Sequence, residues 1–410
     1  MSAPALSSNV TPQAGGGRNA VAFSCAGHFF NHFFEPTFFV VALVLPSVFG
    51  ISYEAALALI IIGKVLLGVM APVAGWIADR WSAPGMMAVY FLGMGAAGIG
   101  CGLVDSAWEM GIALTVLGAF ASIYHPVGIA WLVRSAQSKG KALGINGIFG
   151  SLGPAVAGVS AGALIEVFGW RYAFLVPGTA MIACGLVFVV MLRMGLITDH
   201  PVSVTARPAG APGDTRRAFL VLALGMLVGG LIYQATQAAL PKVFEDRLGG
   251  LLGDGTVGPG VAVMIVYGFS ALMQVTAGHL ADRFSLKWVY LFAWVVQAPL
   301  LAVAAVASGA PLLVTAMLMV TCNTGSLPAE NMLLARYTPE RWRATAFGIK
   351  FVLNFGMAAL AVPVVGLVRS TSGDFLLLFA GLAALALAVG AYALRLPVQP
   401  VENAQPQAAE

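Results

Sequence analysis

The sequence predicts an all-α polytopic membrane protein with twelve transmembrane helices in two six-helix bundles. Three observations carry that expectation. Hydrophobic residues make up 59% of the 410-residue chain and charged residues only 9%, whereas a soluble domain carries about 25% charge. Apolar runs of about 20 residues recur along the chain, each long enough to cross a hydrocarbon core as a helix, because lipid offers backbone groups no other partner. Finally, Gly75-x-x-Ala78-Asp79-Arg80 returns about half a chain later as Gly278-x-x-Ala281-Asp282-Arg283, in both copies at the end of an apolar run. A repeat of that period reads as duplication of a helical bundle. A β-barrel would instead show short alternating segments.

In chain order, residues 1–17 are polar and Gly-rich and form an expected disordered tail. The first apolar run is too long for a signal-peptide core and is read as a retained helix. Helices are expected over residues 21–48, 54–78, 85–104, 107–133, 141–168 and 171–195, which make the first bundle, 18–196. Residues 197–215 hold Pro201, Pro208 and Pro212 without apolar periodicity, as an interdomain linker would. The second bundle, 216–397, is expected to contain helices over 217–244, 257–281, 286–308, 311–335, 343–368 and 374–396, before a second disordered tail at 398–410. The halves echo each other beyond the first motif: Ala142-Leu143-Gly144 is answered by Ala346-Phe347-Gly348, and Arg134 by Arg336.

Charge sets the orientation. With these helices, Arg18, Arg80, Arg134, Lys139, Lys141, Arg193, Arg207, Arg216, Arg217, Arg283, Lys287, Arg336, Arg341, Arg343 and Arg395 fall on one face. The opposite face keeps Arg171, Lys242, Arg247 and Arg369. The positive-inside rule makes the first face cytoplasmic, with both termini on it. Cys25, Cys101, Cys184 and Cys322 lie within apolar runs with no CxxC spacing, and read as small packing residues. No phosphate loop, nucleotide fingerprint or nucleophile–base pair stands outside the spans, so neither enzymatic chemistry nor a cofactor is expected.

Polar residues within the spans point to a pathway, since a charge at a helix centre costs about 2.5–3.5 kcal/mol or more. The first helix carries His28, Asn31, His32 and Glu35, the fourth His125, the seventh Tyr233, Gln234 and Gln237, and the tenth Asn323, Glu330 and Asn331. The third, sixth, ninth and twelfth have no ionisable residue in their interiors, Gln297 being their main polar exception, and are expected at the periphery. On the first helix the spacing i, i+3, i+4, i+7 sets the four side chains along one stripe. Glu330 is expected to pair with Lys350, and Lys64 is able to approach Glu35. Glu35 is the expected coupling residue, since a carboxyl group in a cavity can load and release a proton as access alternates. His28, His32 and His125 would relay that proton or hold solute. Asn31, Phe33, Tyr124, Tyr233, Gln234, Gln237, Asn323, Glu330 and Asn331 are expected to line the cavity, with Phe29, Phe33, Tyr124 and Tyr233 holding apolar rings. Imidazoles at His28 and His32 also share a face and, with Glu35 and His125, are competent to bind a transition metal.

Six plus six helices in parallel repeat, with Gly75-x-x-Ala78-Asp79-Arg80 after the second, resemble the major facilitator superfamily over nearly the whole chain. The resemblance implies a solute transporter that rocks one bundle against the other. It makes Asp79, Arg80, Asp282 and Arg283 a cytoplasmic latch, the Asp capping a neighbouring helix start and the Arg pairing across the domains in one state. It also places every third helix, beginning with the first, around the central cavity. Within the superfamily, Gly27-His28-Phe29-Phe30-Asn31-His32 and Tyr124-His125-Pro126-Val127-Gly128 resemble the fosmidomycin-resistance branch of proton-coupled drug efflux proteins. Gly147-x-x-Gly150-x-x-Gly153-Pro154-x-x-x-Gly158 partly resembles the motif of the superfamily's antiporters, with Pro154 expected to kink its helix.

The expected function is therefore secondary active, proton-coupled transport of a small organic solute, with efflux favoured, by a monomer in the bacterial inner membrane. Its partners are the solute, protons and the lipid bilayer, and not nucleic acid. The second reading is an importer of a transition metal such as copper, or of a vitamin-like molecule such as a flavin, because Tyr124-His125-Pro126-Val127-Gly128 also resembles the CcoA-like importers. Against copper, Met226 and Met264 stand alone, without the paired sulfur or histidine ligands expected in the seventh or eighth helix.

Overall fold

The computed structural model describes residues 16–136, 139–198, 212–253, 255–338, 346, 349–354 and 356–397. It is built of helices. Among the described residues, ten helical stretches are long and apolar enough to cross a membrane, and one further span is a pair bent by 42°, Tyr53–Val69 with Ala71–Arg80. The first span is divided into α1 (Gly16–Asn31), α2 (Phe34–Val41) and α3 (Leu45–Phe49), and the second into α4 (Tyr53–Ala58), α5 (Ile61–Val69) and α6 (Ala71–Arg80). Then follow α7 (Ala83–Leu103), α8 (Ala107–Ala121), a π turn (Tyr124–Gly128), α9 (Ile129–Ser135), α10 (Lys139–Phe168) and α11 (Tyr172–Arg193). The second half holds α12 (Pro212–Arg247), α13 (Val257–Arg283), α14 (Leu286–Ala304), α15 (Gly309–Tyr337), α16 (Ala358–Ser372) and α17 (Leu376–Ala393).

Most of the interruptions share a cause, although the one between α4 and α5 has no proline beside it. A proline removes its own N–H donor and crowds the carbonyl four residues back. Pro36 stands four residues after His32, where α1 gives way to α2; Pro46 stands four after Ala42, where α2 ends. Pro72 follows the Met70 bend between α5 and α6, and Pro126 lies within the π turn that follows α8. The expected single stripe of His28, Asn31, His32 and Glu35 is accordingly broken: His32 sits in the gap and Glu35 starts a new helical segment. Pro154, by contrast, lies inside a continuous α10.

Some boundaries differ from the expected ones. α1 starts at Gly16, inside the expected tail, and α12 starts at Pro212, inside the expected linker. A proline in a helix's first turn loses no hydrogen bond, because that N–H has no helical partner in any case. Residues 1–15, 199–211 and 398–410, with Arg341, Arg343 and Phe347-Gly348, lie outside the described residues, as do the side chains of Lys139 and Lys141.

The two halves meet most closely where α10 crosses α13. A Cβ added at Gly158 would stand 2.8 Å from the Gly260 carbonyl oxygen, and one at Gly260 would stand 2.3 Å from that of Gly158. Only glycine allows the two backbones to come so near. About two turns further along α10, Glu166 Oε1 accepts from the Thr256 backbone N–H at 2.8 Å and from its hydroxyl at 3.1 Å. Successive spans alternate in direction, so this clamp lies at the end of the molecule opposite the Asp79-Arg80 and Asp282-Arg283 turns.

Gln297, on α14, is buried and donates to the Met319 carbonyl at 3.3 Å, while Lys287 at the start of that helix donates to the Leu394 carbonyl at 2.8 Å. The ninth span is thus tied to its neighbours through polar groups on its inner side. Its outer side is apolar and exposed, with Trp288, Phe292 and Val295.

Candidate functional site

The gap at His32 and the π turn at Tyr124–Gly128 face each other. A π turn carries one extra residue per turn and re-aims the side chains around it. Here it brings His125 against the first span. The ring centroids of His28 and His32 lie 5.0 Å apart, those of His32 and His125 5.2 Å, and those of His28 and His125 5.5 Å. One ring nitrogen from each histidine falls within 4.8 Å of the other two. Among the described residues this is the one such grouping of histidine, cysteine or carboxylate ligands.

His28 is held on three sides. Its Nδ1 lies 2.8 Å from the Asn146 carbonyl oxygen, and its ring stacks on Tyr124 with centroids 5.1 Å apart and planes inclined by 22°. Gly150 of α10 leaves the space the imidazole occupies: a Cβ there would stand 2.4 Å from the His28 ring. Asn146 also donates through Nδ2 to the Tyr124 hydroxyl at 2.8 Å and to Ser24 Oγ at 3.2 Å. The Tyr124 hydroxyl donates in turn to the Ser24 carbonyl at 2.8 Å. Ser24 and Asn146 were not singled out in the sequence. Asn146 was visible there as an amide in an apolar run, but it belongs to the fifth helix, outside the every-third-helix set.

In this state the Tyr124 side chain is fully buried, hydrogen-bonded within the first half and packed beside Tyr90 with ring centroids 5.6 Å apart. Phe33 is likewise buried, its ring tilted against Phe29 and edge-on to Phe34. Asn31 is buried, and its Oδ1 has no partner among the described residues.

Beyond the break, Glu35 forms an ion pair with Lys64 of α5. The Lys64 side chain is 4% exposed and that of Glu35 17%. Lys64 Nζ also donates to Gln234 Oε1 at 3.1 Å, across to α12 of the second half. One ammonium therefore bridges a carboxylate on its own side and an amide on the other. Nearby, Gln237 Nε2 donates to the Tyr233 hydroxyl at 3.3 Å, and Asn323 Nδ2 donates to the Gly229 carbonyl at 3.3 Å. Tyr233 and Asn323 line one small crevice with Thr236 and Gln297.

A second buried pair stands in the second half. Lys350 Nζ lies 2.7 Å from Glu330 Oε1 and donates to Asn331 Oδ1 at 2.5 Å, and the Tyr290 hydroxyl donates to Glu330 Oε2 at 3.3 Å. Removing one partner would strand the other charge away from water, at about 3–5 kcal/mol. Lys350→Met is accordingly expected to lower the thermal unfolding midpoint in detergent markedly, and Glu330→Gln added to it to recover most of the loss. A double variant no more stable than the single one would show the pair to be dispensable.

The Asp-Arg turns stay apart from all of this. Asp79, Arg80, Asp282 and Arg283 are exposed, and Arg80 folds back on its own helix, 4.2 Å from the Trp76 ring and within 3.4 Å of the Trp76 carbonyl. Among the described residues the expected cross-domain pairing of the arginine is not seen in this state. The site residues thus form three groups: the histidine cluster, the Glu35–Lys64–Gln234 bridge and the Glu330–Lys350 pair.

The fold and these intramembrane charges are those of a solute transporter. The family model described as Major Facilitator Superfamily matches residues 24–269 and 257–410, and the chain belongs to that superfamily. It is a multi-pass membrane transporter and not an enzyme. Among solved structures, it is similar to a bacterial homolog of the human lysosomal transporter Spinster in an inward-facing, occupied conformation. The TM-score is 0.72 and the identity 14%, covering 94% of this chain and 95% of that one. Among curated relatives, it is 29% identical over 155 residues to the multidrug resistance protein B homolog of Mycobacterium tuberculosis, a stretch that is 37% of this chain and 28% of that protein. It is 28% identical over 157 residues to the puromycin resistance protein pur8 of Streptomyces alboniger, covering 36% of this chain and 31% of that protein. The chain therefore spans less than a third of the length of these two relatives.

Proposed function

We propose that this transporter moves a small organic solute in exchange for protons, by rocking residues 18–196 against 216–397, and that export is its working direction. Both termini and the Asp79 and Asp282 turns then face the cytoplasm of a bacterial inner membrane. The observation that carries this reading is the Lys64 bridge, which holds Glu35 in one half and Gln234 in the other.

A proton arriving on Glu35 cancels the charge that retains Lys64, and the tie across the halves loosens. Solute displaced by that proton would meet Asn31, Tyr233, Gln237 and Asn323. The resemblance of the His28 and His125 segments to fosmidomycin-resistance proteins, and the drug-resistance names of the two relatives, support export of an organic compound. The test is a solute panel in proteoliposomes with and without an imposed proton gradient, including a phosphonate drug, a flavin and Cu(I). Movement of an organic solute against its gradient only when protons flow supports the proposal. Transport indifferent to the proton gradient refutes the coupling, and movement of Cu(I) alone refutes the cargo.

A further inference from the structure

We propose that His28, His32 and His125 form a binding site for a divalent transition-metal ion of the Zn²⁺, Co²⁺ or Ni²⁺ class, with three imidazole ligands and an open fourth position. The site goes beyond the proton-coupled reading and stands independently of it.

The distances suit the assignment. In a tetrahedral site with metal–nitrogen bonds of about 2.0–2.1 Å, the ligand nitrogens lie about 3.3 Å apart. The three nitrogens already fall within 4.8 Å of one another, so imidazole rotation of about an ångström closes the set. His28 and His32 are partly accessible, which gives an ion a way in, while His125 is only 9% exposed and forms the floor.

The surroundings are built for ligation rather than for simple packing. The Asn146 carbonyl can only accept a hydrogen bond, so the His28 nitrogen 2.8 Å from it, Nδ1, carries the proton. The lone pair is then on Nε2, on the other side of the ring. A backbone carbonyl fixing the tautomer in this way is the usual outer partner of a metal-bound histidine. Gly150 clears the volume for that ring, and the π turn supplies His125 from a different span. The ligands therefore come from two spans, backed by a third.

Charge and softness narrow the ion. Lys64, whose charge reaches His32, is already neutralised by Glu35, so an unpaired ammonium does not repel a dication. Among the described residues no cysteine belongs to the cluster. Soft Cu(I) prefers sulfur, whereas imidazole suits borderline divalent ions. Three neutral ligands leave one position for water or for a donor atom of a solute.

The experiment is a titration of the tag-free, chelator-treated full chain in detergent with Co²⁺ alone. Visible ligand-field absorption reports the geometry, and equilibrium dialysis with Zn²⁺ reports the stoichiometry. One ion per chain and a tetrahedral spectrum are expected. His28→Asn, His32→Asn and His125→Asn should each weaken binding by about 100-fold, and Gly150→Ala, which displaces the His28 ring, by about tenfold or more. Unfolding midpoints without metal establish that each variant is folded. Absence of binding by the unaltered chain overturns the proposal, as does equal binding by the triple histidine variant. Neither result bears on proton-coupled transport, since the titration uses neither gradient nor solute.

Discussion

Replacing Glu35 by Gln is expected to reduce proton-driven solute movement in proteoliposomes to background. The amide keeps the shape of the carboxyl group but has no charge to gain or lose. Lys64, 4% exposed, would then face only the Gln234 amide. An ammonium left without its carboxylate in the interior costs about 3–5 kcal/mol, so Glu35→Gln alone also lowers stability. The informative companion is Glu35→Gln with Lys64→Met, which removes both charges and is expected to unfold close to the unaltered chain. If coupling resides in this pair, the stable double variant still fails to concentrate solute, while downhill exchange persists at a reduced rate. Uphill transport at the normal rate by either variant would remove Glu35 from the mechanism.

Membrane architecture was legible in the sequence because lipid leaves few alternatives: a long apolar run becomes a helix, and the repeated Asp-Arg turn gives the duplication. The local irregularities were less so. Pro36, Pro46, Pro72 and Pro126 stand in the sequence where the first, second and fourth spans break, yet hydropathy runs through them unaltered. Pro154 shows that proline alone does not decide the matter, since α10 continues past it. The His28–His32 spacing was readable from helical periodicity. Its meeting with His125 depends on the π turn, which has no simple sequence signature. A polar aromatic in a span serves a cavity or a buried hydrogen bond equally well, and Ser24 and Asn146, the partners of Tyr124 here, carry no sequence signal that separates the two roles.

The contact between α10 and α13 yields the other large expected effect. At the end bearing Gly158, Gly260 and the Glu166–Thr256 clamp, the halves are pressed together. Toward the Asp-Arg turns the same helices carry Gly147 and Gly278, where an added Cβ would meet nothing within 4 Å. The closed end must open for solute to cross and close again for the cycle to continue, so each turnover makes and breaks this glycine contact. Gly260→Leu places a side chain where even a Cβ would lie 2.3 Å from the Gly158 carbonyl oxygen. Backbone cannot move aside as the tip of a side chain can, so closure is blocked. Transport is expected to fall by at least about tenfold. A thiol at position 256, buried in the closed state, should become reactive toward a membrane-impermeant reagent in the Gly260→Leu background. Unchanged transport together with an unreactive Thr256→Cys would mean that this contact does not close the pathway, and that the solute is sealed elsewhere.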